Sequence, residues 1–192
     1  MDFAVKDLDN LHYFLGVEVT HLDSGLLLSH RRYIEDLLRR TNMHKAKSIS
    51  SLMLSSIALS TFIGDPMEDP SLYRSTIGLL QYLSDLALSV NHVCQFMHRP
   101  TKLHWQAVKR ILRYLKHTIT YGFLLKCTSS FTIQAYSNAN WAGCPDDCKS
   151  TSAYCVFIGS NLVSWSSQKQ PIVSQSSTEE EYKAVANTTT EV

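Results

Sequence analysis

Between Thr101 and His117 the chain carries one pattern that leaves little choice of structure. Val108, Ile111, Leu112 and Leu115 recur at three- and four-residue spacing, with His104 one turn earlier. Lys109, Arg110, Arg113 and Lys116 fall mostly off that stripe. The spacing predicts an amphipathic helix over 102–117 with an apolar inner face and a strongly basic outer face. Thr101 is its expected N-cap, and Pro100 ends whatever element precedes it.

The segments around this helix read as a mixture of strands and helices. Leu11–Thr20 is rich in aromatic and β-branched residues and reads as a strand. Asp23-Ser24-Gly25 is a turn and Leu26–Ser29 a returning strand, which makes a hairpin. Tyr33, Leu37 and Leu38 predict a helix over about 31–41. Ser48–Asp69 is serine-rich and weakly periodic, an irregular connection. Apolar positions from Tyr73 to about Met97 fit helices. After the basic helix come short β-like runs at Gly122–Lys126, Phe131–Ser137, Ser152–Ile158 and Leu162–Ser167. Gly159-Ser160-Asn161 is the tight turn joining the last two. Ser177-x-x-Glu180 has the form of a capping box opening a final helix to about Thr190. The fold class expected is α+β, with a three-strand antiparallel meander and one helix closing the chain. That meander would leave an edge strand unpaired.

Length and composition narrow the function. A chain of 192 residues builds one medium domain or two small ones, and 44% hydrophobic with 18% charged residues suits a globular chain. No run of 18 apolar residues exists, which excludes a membrane-spanning helix, and the N-terminus lacks a signal-peptide layout. Cys94, Cys127, Cys144, Cys148 and Cys155 form no paired CxxC zinc pattern. Reduced thiols and an intracellular setting are expected, with nucleus and cytosol both open. The net charge of +1 hides a segregation. From Leu86 to Pro145 there is no Asp or Glu, while the same stretch holds seven Lys and Arg residues. A polyanion partner fits that pattern, and solvated helix faces fit it equally well.

Three blocks resemble the copia-type long-terminal-repeat retrotransposon polyprotein, a family abundant in plants. The first is Lys6-Asp7-Leu8 with Leu11–Val19. The second runs from Tyr73-Arg74 through Gln81-Tyr82-Leu83 to Pro100-Thr101 and His104–Leu115. The third is Tyr136–Gly143, then Ser150–Phe157, Ser164-Trp165-Ser166 and Ser176–Tyr182. The resemblance implies that residues 1–126 are the C-terminal part of a reverse transcriptase region, with a primer-grip hairpin and thumb/connection-like helices. It implies that residues 127–192 are the N-terminal half of a ribonuclease H-like domain. In the complete domain the first strand is central and has a parallel neighbour. Residues 127–192 alone are therefore expected to be poorly stable or aggregation-prone.

The family chemistry uses two Mg²⁺ ions, and these hard cations need carboxylate oxygens. Where the resemblance places the first metal-binding Asp, this chain has Asn138, and the second Asp position is Asn140. The second family carboxylate matches Glu181, the one metal ligand retained. Helical spacing puts Glu181 one turn before Ala184 and Val185, so it is expected to border the inward face, with Glu180 more toward solvent. From the residues alone, Glu179, Glu180 and Glu181 are acids favoured at a helix N-terminus. The other family carboxylates are expected beyond Val192, and the polymerase aspartates before Met1. Asp146 and Asp147 read as solvated loop residues. Further departures are a shortened Leu83–Leu86 segment, Cys148 where an Arg is expected and Ala153 where a Gly is expected.

The leading expectation is a degenerate polyprotein fragment with no intact catalytic site and no cofactor of its own, Mg²⁺ belonging to the ancestral enzyme. A second is a non-catalytic module that binds an RNA–DNA hybrid or other nucleic acid through Lys109, Arg110, Arg113 and Lys116. Trp105 and Tyr114 would stack there or serve the core. A third is a hydrolase completed by a partner chain. No membrane or small-molecule cofactor enters any of the three.

Overall fold

A computed structural model describes residues 10–52, 59–83 and 86–192. Lys6-Asp7-Leu8 lies outside the described residues, as do 53–58 of the irregular connection and 84–85 of the shortened segment. The elements run β1 (Tyr13–Phe14), β2 (Val17–Leu22), β3 (Gly25–Ser29), α1 (Arg31–Arg40), α2 (Pro70–Leu80), α3 (Ala87–Cys94) and α4 (Lys102–His117). They continue as β4 (Phe123–Lys126), β5 (Ile133–Asn140), β6 (Thr151–Ile158), β7 (Asn161–Lys169) and α5 (Ser177–Thr190). The described residues form a mixed α+β structure with two antiparallel sheets and five helices.

The first sheet has strand order β1-β2-β3-β4. The expected single strand Leu11–Thr20 is in fact broken. Leu15 and Gly16 have φ of 46° and 82°, a turn that folds β1 back on β2. A Cβ on Gly16 would press on the Tyr82 hydroxyl, and the positive φ there favours glycine. The expected hairpin is β2–β3, and β4 adds to its open edge with Leu28 opposite Phe123 and Gly25 opposite Lys126. Gly25 sits at φ 145°, and a Cβ there would overlap the Leu125 carbonyl oxygen.

Helices α1 to α4 share one apolar core. Leu37, Tyr73, Ile77, Leu80, Val90, Val108 and Leu112 are its most buried members. The expected stripe on α4 faces inward in full, joined by Ala107. Tyr73 buries its ring and donates its hydroxyl to the Val93 carbonyl at 2.8 Å, which satisfies the one polar atom it brings inside. Thr101 caps α4 as expected, accepting from the His104 N–H. His104 completes a capping box in place of the usual Glu, since its Nδ1 accepts from the Thr101 N–H at 3.0 Å. Nε2 therefore carries the proton and donates to the Ser60 carbonyl at 3.1 Å. The ring stacks on Phe96 with centroids 3.9 Å apart.

The second sheet, β5-β6-β7, is the expected meander. Gly159-Ser160 is the turn between β6 and β7, and α5 lies against β5 and β6. Residues 133–138 of β5 are all exposed. This sheet is tied to helix α3 and to strand β4 of the first sheet. Asn91 donates to the Ser167 carbonyl at 2.5 Å, and the Asn161 amide exchanges two hydrogen bonds with the backbone of Lys126.

Candidate functional site

The residues matched to metal ligands lie on β5 and on the exposed side of α5. Asn138 is exposed on β5, paired in register with Ala153. Its neighbour Ala139 pairs with Ser152, so strand alternation puts Asn138 and Ser152 on opposite faces of the sheet. Glu180 of α5 binds the Ser152 face. Its Oε1 accepts from Ser152 Oγ at 2.6 Å and its Oε2 from Ser174 Oγ at 2.5 Å.

This reverses the expected orientation of the glutamates. Glu180 is fully buried and Glu181 is exposed. The buried face of α5 is Glu180, Ala184 and Thr188, spaced four residues apart, while Val185 is exposed. Of the two residues one turn beyond Glu181, Ala184 is buried as expected and Val185 is not. The helix start is also one residue earlier than the expected box. Ser176, not Ser177, is the N-cap and accepts from the Glu179 N–H at 3.1 Å. Glu179 pairs with Lys183 at 2.6 Å and accepts from the Gln175 N–H at 2.7 Å, which holds its pKa below the usual value. Among the described residues, no group of three His, Cys, Asp or Glu side chains could hold a metal ion. Two amides and one isolated exposed carboxylate do not fit a pair of Mg²⁺ ions.

Asp146 and Asp147 are not free loop residues. Asp146 accepts from Ser60 Oγ at 2.5 Å and from the Thr61 N–H and hydroxyl, each at 2.7 Å. The Ser60 bond first and the Thr61 N–H next hold its pKa below normal. Asp147 meets Lys169 at 2.9 Å. Burial opposes its ionisation, yet hydrogen bonds from Cys144, Lys169 and the Lys149 N–H outweigh it and bring its pKa to about 2. No local pattern signals these contacts, because Ser60 and Thr61 lie more than 80 residues away in the chain.

The basic helix is less open than its sequence suggests. Arg113 Nε donates to the Lys47 carbonyl at 2.6 Å. Lys116 Nζ donates to the carbonyls of His44 and Ala46 at 2.7 and 2.9 Å. Both side chains thus hold the segment that follows α1. Lys109 is exposed and lies over the Trp105 ring, 5.8 Å from its centroid. Trp105 and Tyr114 are partly buried against the core. A cavity of about 330 Å³ opens between Lys109, Arg110 and Arg113 on one side and Met43, Leu59 and Leu103 on the other. Among the described residues no acid lines it, and Arg110 Nε beside it is buried with no hydrogen-bond partner among them. Among the described residues no helix is long and apolar enough to cross a membrane.

No protein-family model matches the chain. No solved structure matches it. Curated relatives do. The retrovirus-related Pol polyprotein from transposon RE1 of Arabidopsis thaliana is 50% identical over 99% of this chain and 13% of its own length. The corresponding polyprotein from transposon RE2 of the same plant is 48% identical over the same shares. The chain thus spans a small part of each polyprotein. The uncharacterized mitochondrial protein AtMg00810 of Arabidopsis thaliana is 41% identical over 99% of this chain and 80% of its own length. With that coverage, and with the same residues aligned to both transposon polyproteins, the chain belongs to the family of sequences that includes retrovirus-related Pol polyproteins of transposons.

Proposed function

We propose that this chain corresponds to the end of the reverse transcriptase region and the start of the ribonuclease H region of a copia-type polyprotein, and that it does not cleave nucleic acid. The observation that carries the inactivity is the state of the carboxylate positions. Asn138 and Asn140 offer neutral amides, and Glu181 stands alone on the surface of α5. A neutral amide oxygen is a much weaker partner for a bridging divalent cation than a carboxylate. The position within the polyprotein rests on the three sequence blocks, and the hairpin, helices and meander in that order are in keeping with it. A labelled RNA–DNA hybrid incubated with the purified chain in Mg²⁺ and then Mn²⁺ tests the reading. Intact hybrid supports it and metal-dependent cleavage by the chain overturns it.

The cavity beside Lys109, Arg110 and Arg113 favours a second, compatible reading, non-catalytic binding of a nucleic-acid backbone. A phosphate there would meet three cations and no competing acid. Such binding is expected to weaken steeply with salt. Anisotropy of the same hybrid over a salt series measures it, and a salt-independent signal or no signal removes this second reading.

A further inference from the structure

The cavity beside α4 is built largely by one face of that helix. Leu103, Gln106, Arg110 and Arg113 follow one another at three- and four-residue spacing and line it, with Lys109 next to Arg110. Met43, beyond the end of α1, and Leu59 complete the lining. The cavity thus joins three cations and one amide to three apolar side chains.

The protein leaves these charges uncompensated. Among the described residues Lys109, Arg110 and Arg113 are in no ion pair, whereas Arg31, Arg32 and Arg40 each meet a carboxylate. Arg113 is tied through Nε to the Lys47 carbonyl, a neutral oxygen that steadies the side chain and leaves its charge in place. Arg110 Nε is shut off from solvent with no acceptor among the described residues. A guanidinium that has given up water there without finding a partner gains more from an anion than a fully hydrated one does.

Size and lining limit the anion. The volume of about 330 Å³ lies at the lower end of the range that holds a small molecule, roughly 300–1,000 Å³. A bare inorganic ion would leave Met43, Leu59 and Leu103 uncovered. A phosphate carried on a planar, largely apolar body covers both parts, and the Gln106 amide offers that body a donor and an acceptor. Charge selects among phosphates. A monoester carries about −1.5 to −2 at neutral pH and three terminal oxygens on a single stem. A backbone diester carries one charge and continues as chain on both sides. Three cations around one small cavity match the monoester.

We propose that this cavity is a site for a phosphate monoester of mononucleotide size, its phosphate held by Lys109, Arg110 and Arg113 and its body set against Met43, Leu59 and Leu103. The site deepens the second reading above, which rests on a phosphate in the same cavity, by naming the kind of phosphate. Two sources carry this chemistry, a free nucleotide and the phosphorylated end of a strand.

Calorimetric titration of the full chain with adenosine 5′-monophosphate, adenosine and inorganic phosphate provides the test. The nucleotide is expected to bind about tenfold more tightly than either of its parts. Arg110→Met, which keeps most of the side-chain stem, and Lys109→Ser, at an exposed position, are each expected to weaken it several-fold, with thermal melts reporting that the fold is kept. Nucleotide binding no tighter than that of adenosine, or unchanged in Lys109→Ser, overturns the proposal. Labelled DNA strands with and without a 5′-phosphate separate the sources. Tighter binding of the phosphorylated strand, displaced by the nucleotide, supports a strand end, and nucleotide binding with no difference between the strands supports a free nucleotide. Strands that bind equally and resist displacement by a nucleotide that itself fails to bind remove this site and leave the backbone reading standing. A nucleotide that binds while the RNA–DNA hybrid gives no signal supports the site and removes the backbone reading.

Discussion

Glu180 of α5 accepts a hydrogen bond from Ser152 Oγ of β6 at 2.6 Å, beneath the helix and away from solvent. This contact joins the last helix to the meander and gives the three consecutive glutamates three different roles. Replacing Glu180 by Ala removes the acceptor for the Ser152 and Ser174 hydroxyl protons, while Gln170 and Lys183 still donate to the two oxygens, and is expected to cost about 1–3 kcal/mol. Glu181→Ala touches nothing buried and is expected to stay within about 0.5 kcal/mol. Urea denaturation of the two variants beside the parent separates them. Equal midpoints for the variants would contradict the orientation of α5.

His104 predicts how stability responds to mild acid. Burial is the main cause that lowers its pKa from 6.5, and the bond to the Ser60 carbonyl only partly offsets it. The unfolded chain then binds a proton that the folded chain resists. Stability is therefore full above about pH 6.5 and falls as pH drops from there through the folded-state pKa. His92, lowered by burial and by Lys169, adds to the same slope. Chemical denaturation at pH 7.5 and 5.5 is expected to show the loss, and His104→Gln to flatten it.

The Asp146 clasp has the opposite type of group and a lower window. Its pKa is held below 3.8, so its contribution is present above that value and is lost as pH falls through the folded-state pKa. Asp146→Ala is expected to speed amide exchange at Thr61, whose N–H it accepts at 2.7 Å, while Val108 in the core stays protected. Unchanged exchange at Thr61 would argue against the clasp.

The cations of α4 divide by what they touch. Lys109→Ser removes an exposed charge beside the cavity and is expected to reduce the salt slope of nucleic-acid binding by about one. Arg113→Ala and Lys116→Ala release the carbonyls of His44, Ala46 and Lys47 and are expected to lower stability as well as binding. Salt titrations and thermal melts on the same three proteins distinguish the two kinds of loss.

Elements with strong local signals were readable from the sequence. The α4 stripe, the Thr101 cap and the Gly159-Ser160 turn are each set by neighbours within one or two turns of chain. The pairing of β4 with β3 was not readable, because it joins Phe123 to Leu28 across the whole helical core. The break at Leu15-Gly16 was hidden by its aromatic and β-branched surroundings, which favour a strand on composition alone. Glu180 was misassigned for a physical reason. Apolar character marked Val185 as inward, yet the buried polar pocket of Ser152 and Ser174 rotates the helix so that a carboxylate faces inside. The candidate metal positions were readable only through the family resemblance, since Asn138 by itself is an unremarkable exposed strand residue.

The most direct measurement compares the parent chain with Asn138→Asp on one labelled RNA–DNA hybrid, in Mg²⁺ and then in Mn²⁺, read by gel. A carboxylate at position 138 leaves Asn140 an amide and Glu181 exposed on α5, so on the proposed reading neither protein is expected to cleave. Metal-dependent cleavage that disappears in Glu181→Gln would contradict the proposal that this chain does not cleave nucleic acid.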